Sequence, residues 1–258
     1  MLVKPLALLD LDDTLFQTAK HLPADQLKHV ASHNSAGEPL GFMTDRQQQF
    51  WHWLSACTEV IPVTARSVAG LARVQLPFDS WAVCQHGALI VQPDGQLEAT
   101  WYAHMQQALS PLLPALTQLV EQIQQDPQAP EGVRAWIATE HGLSIYIIVK
   151  QLANAPYFPQ LLANMANHSQ FYLHINGNTA AILPKVVSKV TAAQHLLSLI
   201  NPASQRVVLG WGDSLSDIAF LQQCDWWGVP KRSQTSAWVS QQLEQHVTQT
   251  GGYEFTSR

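Results

Sequence analysis

The sequence predicts an α/β protein whose core is a doubly wound, Rossmann-like parallel sheet, interrupted by an inserted α+β domain of αββαββ order. Three observations predict it. Short apolar runs alternate with helical patterns at both ends of the chain: PLALL before Asp10, EVIPV before Thr64, WAVC before Gln85 and RVVLG before Trp211. Parallel strands joined by crossover helices leave that pattern. In the middle, WIATEHGLSIYIIVK and QFYLHINGNTAAIL each place two strand-like runs around turn residues, as antiparallel hairpins do. Each pair follows a helical stretch, MQQALSPLLPALTQLVEQIQQ and PYFPQLLANMANH. The core is therefore assigned to residues 1–89 and 184–258 and the inserted domain to 90–183.

Taken in order, the opening run MLVKPLALL meets Asp10 too soon to be the apolar centre of a signal peptide. Residues Thr44 to Cys57 read as the first crossover helix, with a Thr or Asp cap and Phe50, Trp51 and Leu54 at helical spacing. Before it, His29 and His33 would share one helix face at metal spacing, but no third ligand is nearby and a surface role is expected. Pro62 is awkward in a central strand because it has no ladder donor, which places it near a strand end. Pro111 and Pro114 are expected to delay the first helix of the inserted domain until about Pro111. DPQAPEG is a loop by its Pro and Gly content. In the second hairpin, alternation puts His174 and Asn176 on one face of a strand, toward a pocket.

Composition excludes several functions. The chain has 258 residues, 47% of them apolar, enough to bury a core of this size. Its 14 basic and 19 acidic residues give a net charge of −5 with no basic block, so nucleic acid is not an expected partner. No run approaches the ~18 apolar residues of a membrane span. Cys57, Cys84 and Cys224 are odd in number and far apart, which suits a reducing cytoplasm better than a disulfide framework. Nine Trp residues, Trp226 and Trp227 among them, read as core or rim. A monomer is compatible with everything the sequence shows.

Four segments carry chemistry. In LLDLDDTLF a buried strand delivers Asp10 and Asp12 to its C-terminal end, where open α/β sheets bind ligands. Two carboxylates two positions apart can hold a divalent cation while one attacks phosphorus. In VIPVTARS, Thr64 and the amides after it, at Ala65 and Arg66, could hold a phosphoryl oxygen at a helix N-terminus. LPKVVSKVTAAQHLL offers Lys185 and Lys189 near a helix start, with Lys189 directly after Ser188. In VVLGWGDSLSDIAFL a strand runs through Gly212 into Asp213 and Asp217, whose spacing by four can complete a magnesium site with Asp10 and Asp12.

Together these four segments resemble the haloacid dehalogenase superfamily of phosphatases, with its DxDxT, its Ser or Thr after the second strand, its Lys and its terminal acidic pair. The insertion between the second and third motifs is similar to the branch of Cof-type, sucrose-phosphate, trehalose-phosphate and mannosyl-phosphoglycerate phosphatases. The resemblance implies Asp10 as nucleophile, Asp12 as general acid and base, and Thr64 and Lys189 as phosphoryl ligands. It places magnesium on Asp10, the backbone carbonyl of Asp12, and Asp213, with Asp217 in support. Lys189 rather than Lys185 fits its third motif. The branch's TGR reads Thr64-Ala65-Arg66 here, its NGA reads His86-Gly87-Ala88, and Ser216 stands where it has Asn before the last acid. Arg66 would contact substrate, brace the cap or form a salt bridge. The implied substrate is a small phosphorylated metabolite, a sugar phosphate, chosen by the inserted domain as a cap.

Hydrolysis of a phosphate monoester needs an anionic carboxylate to approach a dianion, so magnesium and Lys189 must cancel charge. Asp12 must protonate the leaving oxygen and then deprotonate water, and its acidic neighbours are expected to favour the protonated form. A phosphotransferase or mutase would use the same residues, and a binding protein would use the same fold without turnover. Gly212-Asp213-Ser214-Leu215 also spells the nucleophile block of GDSL-type esterases, which would make Ser214 the nucleophile, but no DxxH follows it. Asp13 has no assigned role and reads as a loop residue.

Overall fold

The computed structural model describes residues 3–152, 157–165 and 168–250. Residues 1, 2, 156, 166 and 167, which belong to segments read above, and residues 251–258 of the assigned core lie outside the described residues.

The main sheet is parallel, in the order β13 (Trp226–Gly228), β12 (Val208–Trp211), β1 (Leu6–Leu9), β5 (Glu59–Pro62). All four residues of β1 are fully buried, because LALL has no polar side to turn to water. Its neighbours are β12, near the C-terminus, and β5, next along the core. Chain therefore leaves β1 toward opposite sides, and the crevice beyond Leu9 is the switch point at which such sheets bind ligands. Pro62 has a simple account. Val63 N–H donates inward to Leu9 and Thr64 N–H outward to Val83, so by strand alternation the donor that Pro62 lacks would point to the outer edge.

The WAVC run differs from expectation. Among the described residues, β6 (Ala82–Cys84) pairs with the main sheet only through a parallel bridge between Val63 and Val83. It pairs antiparallel with β7 (Leu89–Val91), because Gln85 and His86 both adopt left-handed backbone (φ 51 and 56) and reverse the chain at once. The place of an outer strand is taken on the other edge by β13, whose Trp226 and Trp227 are exposed.

Between β1 and the first crossover helix lies a three-stranded antiparallel sheet not anticipated from the sequence: β2 (Gln17–Thr18), β4 (Pro39–Met43), β3 (His29–His33). His29 and His33 sit on this strand and not on a helix, and His29 Nε2 pairs with Asp45 at 2.9 Å. α1 (Asp45–Cys57) starts as expected. Thr44 Oγ1 accepts from Gln47 N–H, and the Gln47 side chain accepts from Thr44 N–H, a reciprocal cap.

The inserted region opens with α3 (Ala99–Leu109), whose first amides, those of Thr100 and Trp101, donate to the Glu98 carboxylate. The helix thus begins well before Pro111. The two prolines break one helical run into α3, a 3-10 turn and α4 (Leu113–Gln125), each near the first turn of its element, where a missing N–H costs nothing. Beyond them come β8 (Arg134–Glu140), β9 (Leu143–Lys150), α5 (Tyr157–Met165), β10 (Phe171–Asn176) and β11 (Thr179–Pro184), the αββαββ order predicted. Their sheet is antiparallel, β10-β11-β9-β8. Strand alternation divides it. Ile147, Val149, Ala180 and Ile182 pack under α4 and α5. Tyr146, Ala181 and Leu183 face the other way and join one apolar cluster with Leu6, Leu8 and Ile61 of the main sheet and Trp101 and Met105 of α3.

Short α2 (Val68–Leu71) follows the Thr64 loop, α6 (Lys189–Ile200) leads back into the main sheet, α7 (Ile218–Leu221) follows the last acidic pair and α8 (Gln234–Thr250) ends the described chain. Among the described residues no helix is long and apolar enough to cross a membrane.

Candidate active site

Asp10 extends β1 by one residue, its N–H donating to the Trp211 carbonyl at 2.9 Å. The chain then turns tightly, with Leu15 N–H bonding back to Leu11 and Asp13 in left-handed backbone (φ 62). That turn folds Thr14 over the strand end, and its hydroxyl donates to Asp10 Oδ2 at 3.0 Å. From the other side Lys189, first residue of α6, places Nζ 2.7 Å from Asp10 Oδ1 and 2.8 Å from Asp217 Oδ1. Asp217 is fully buried, and its Oδ2 accepts from both the amide and the hydroxyl of Ser214. Gly212 is required for this approach, since a Cβ there would lie 2.6 Å from Asp217 Cβ.

Side-chain oxygens of Asp10, Asp213 and Asp217 all lie within 4.8 Å of one another. One ammonium cannot neutralise three carboxylates. Burial is the largest influence on Asp10 and, with Asp217 and Asp213 nearby and despite Lys189, pushes its carboxyl up to about 8. Burial, then Asp217 and Asp13, push Asp213 up to about 7. Burial also disfavours the Asp217 anion, but Lys189 and Ser214 outweigh it and hold that group below the usual range. A cluster of hard oxygen donors with surplus negative charge fits a divalent cation of the magnesium kind.

A pH dependence follows for the cation-free protein. Asp10 and Asp213 titrate higher in the fold than in the unfolded chain, so the folded state holds more protons between about pH 4 and 8. Stability is therefore fully present at the acid end and lost as pH rises through 7 and 8. Lys189, raised above its ordinary range, and Asp217, lowered, do not change charge in this window. Thermal unfolding in chelator is expected to drop by several degrees from pH 5.5 to 8, and magnesium to restore most of the loss at pH 8. A melting temperature that rises with pH in chelator would contradict this placement of charge.

The remaining candidates divide. Lys185 is exposed and away from the site, whereas Lys189 lies within it. Asp12 lines the pocket over the carboxylates, but its own carboxylate is not in the cluster: both oxygens receive bidentate bonds of 2.7 Å from Arg66 Nε and Nη2. The group that meets the Asp12 carboxylate is thus a guanidinium and not an acidic neighbour, reached across the gap between the first two motifs. Thr64 is buried, and its hydroxyl accepts from Arg66 N–H at 3.1 Å. The helix whose N-terminus it was expected to mark starts only at Val68, behind Ser67. Ala65 does line the pocket.

Several residues to which the sequence assigned no role in the chemistry reach the site. Thr14 was quoted within its motif without a role, yet it binds the central carboxylate. Asp13 lines the site and pairs with His21 at 3.2 Å. Gln234, at the start of α8, closes one wall, while the next amide, Thr235 N–H, donates to the Asp213 carbonyl. His86 and His174 also reach the pocket. Only His174 and Asn176 were legible, through strand alternation. The pocket over the carboxylates has a volume of about 60 Å³ and adjoins a cavity of about 730 Å³ between β2, β4 and the inserted sheet.

The profile of the sucrose-6F-phosphate phosphohydrolase family matches residues 4–250. The chain belongs to this family. It is thereby a phosphatase of the haloacid dehalogenase superfamily, as the four motifs implied. No curated protein matches the sequence. Solved structures share the fold at low identity. The sucrose-phosphatase of Synechocystis, determined with sucrose and phosphate, is 15% identical over 94% of this chain and 98% of its own, with a TM-score of 0.55. A structure from Eubacterium rectale reaches a TM-score of 0.57 at 13% identity, covering 92% and 91%. A haloacid dehalogenase-like hydrolase from Bacillus subtilis gives 0.53 at 14%, covering 98% and 93%. Within this phosphatase the GDSL letters have another use: Ser214 Oγ is bonded to Asp217 and Ser216, and among the described residues no histidine bonds it.

Proposed function

We propose that this phosphatase is a magnesium-dependent phosphomonoesterase that acts on a sugar phosphate through a phosphoaspartyl intermediate on Asp10. One observation carries the reading: Asp10 sits between Lys189 and Thr14 at the floor of a small polar pocket that adjoins a much larger cavity under the inserted sheet. The small pocket suits a phosphoryl group and the larger one its organic part. Asp10, Asp213 and the Asp12 backbone carbonyl, with Asp217 in support, would hold magnesium, which lowers the charge on the phosphoryl oxygens when bound.

Asp10 attacks phosphorus as the ester bond breaks, and Asp12, entering the step protonated with one oxygen released from its Arg66 pair, gives that proton to the leaving oxygen. Water then loses a proton to the Asp12 carboxylate and attacks the same phosphorus. Phosphate leaves, and Asp10 and Asp12 are both returned to their starting forms. Lys189 offsets the approach of two anions, and the Thr64 hydroxyl with the Ala65 amide is proposed to hold phosphoryl oxygens, the Arg66 amide being taken by the Thr64 hydroxyl. Residues 90–183 act as the cap that closes the site against water and selects the sugar. Three unpaired cysteines suit a cytoplasmic setting.

The test is phosphate release from sucrose 6-phosphate, trehalose 6-phosphate, hexose phosphates and nucleotides, with magnesium and with chelator. Release from one or more sugar phosphates, abolished by chelator, is expected. Transfer of phosphate to a second sugar would make the protein a phosphotransferase, and binding without release would make it a sensor.

A further inference from the structure

Three cavities meet at one pair of side chains. His86 and His174 line the small pocket over Asp10, the 730 Å³ cavity beside it, and a third of about 300 Å³ that runs behind Lys189. His86 comes from the core and His174 from strand β10 of the inserted sheet, and their rings stand 5.5 Å apart at 66°. Asp12, Asp13, Ala65 and Asn176 also line both the small pocket and the large cavity, but among the described residues only His86 and His174 line all three. A substrate with its phosphoryl group over Asp10 and its remainder in the large cavity would place the first carbons beyond the ester beside this pair.

The core member of the pair is held in place. His86 is in left-handed backbone, its N–H donates to the Thr64 carbonyl, and the Gln85 N–H before it donates to Arg66. After it, Gly87 (φ 105) lies against the Ser188 carbonyl so closely that no Cβ would fit. The turn therefore touches the Thr64 loop on one side and the Lys189 helix on the other. Its ring is packed edge-on against Tyr146 of β9 at 5.3 Å. His174 stands opposite Ala181 in the sheet register, a small neighbour that leaves room beside it.

We propose that His86 and His174 are specificity-determining residues that together bind a hydroxyl group on the leaving-group carbons next to the phosphoester. Among the described residues no hydrogen bond occupies the ring nitrogens of either. Burial, together with nearby Lys189, disfavours the charged form of both rings. A neutral imidazole offers one donor and one acceptor, as an alcohol does. Such a pair matches a polyol and gives nothing to a second anionic group. The inference deepens the sugar-phosphate reading and rests on it for the position of the phosphoryl group.

Binding separates the two. In an Asp10→Asn background with magnesium, titration calorimetry would compare sucrose 6-phosphate and trehalose 6-phosphate with inorganic phosphate. His174→Phe keeps a ring on β10, and His86→Gly removes the ring while keeping a residue that tolerates left-handed backbone. Each is expected to weaken the better sugar phosphate about tenfold while changing phosphate affinity about twofold or less. Because both rings read one group, the double variant should lose little more than either alone. Equal losses for sugar phosphate and phosphate, unchanged affinities, or a parent that binds neither sugar phosphate would overturn the proposal. Selective losses in a protein whose wild type releases no phosphate would leave it standing and overturn the phosphatase mechanism instead.

Discussion

Asp10→Asn is expected to lower turnover to about a thousandth of wild type or less while leaving the protein folded. An amide oxygen does not displace an alkoxide from phosphorus, so the loss should fall on kcat and not on KM. Stability should not fall with it. Thr14 donates to one oxygen of Asp10 and Lys189 to the other. Asparagine can keep its oxygen toward Lys189 and turn its NH₂ to the Thr14 hydroxyl, which can accept as well as donate. Burial and its acidic neighbours already push the Asp10 carboxyl up to about 8, so removing its charge relieves the cluster from about pH 8 upward. The variant is thus expected to melt at or above the wild-type temperature at pH 8 without magnesium. Retention of more than a few per cent of wild-type phosphate release would assign the nucleophile elsewhere.

What could be read from sequence was whatever depends on neighbours along the chain. LALL is buried on both faces and is followed at once by acid, so the central strand and the site at its end were visible together. The hairpins of the inserted sheet were visible because their strands alternate and their turns carry Gly142 and Gly177, both at positive φ. The sheet at residues 17–43 was hidden because its strands have two to five residues and two carry bulges or histidines in place of an apolar run. His86 was recorded as a departure from a motif, but its left-handed backbone and its place between Tyr146 and His174 are products of packing. The Arg66 to Asp12 pair joins residues 54 positions apart, and no local periodicity encodes it. The start of α3 was missed for a different reason: the helix-breaking effect of Pro111 was weighed and the Glu98 cap was not.

Lys189→Met is expected to have the largest combined effect on activity and stability. Its side chain is 12% exposed, and its ammonium bonds two buried carboxylates at once. Methionine fills much of the volume but leaves Asp10 and Asp217 facing each other with no cation between them, and breaking such a pair costs about 3–5 kcal/mol. The sign of its pH dependence is set by Asp217. With Lys189 present this carboxyl is held below its ordinary range. Without it, only the two Ser214 bonds oppose burial, the largest influence on this carboxyl, so it is expected to rise and the variant's folded state to take up a proton that the wild type does not. The destabilisation should be small near pH 5, where one carboxyl of the pair is protonated, and grow steadily to pH 8. Turnover should fall about a hundredfold or more, because the approach of Asp10 to the phosphoryl group is no longer offset. Melting curves of both proteins from pH 5 to 8 in chelator, repeated with magnesium, would measure this directly. A gap that stays constant with pH, or closes as pH rises, would show that Lys189 does not carry the charge balance of the site.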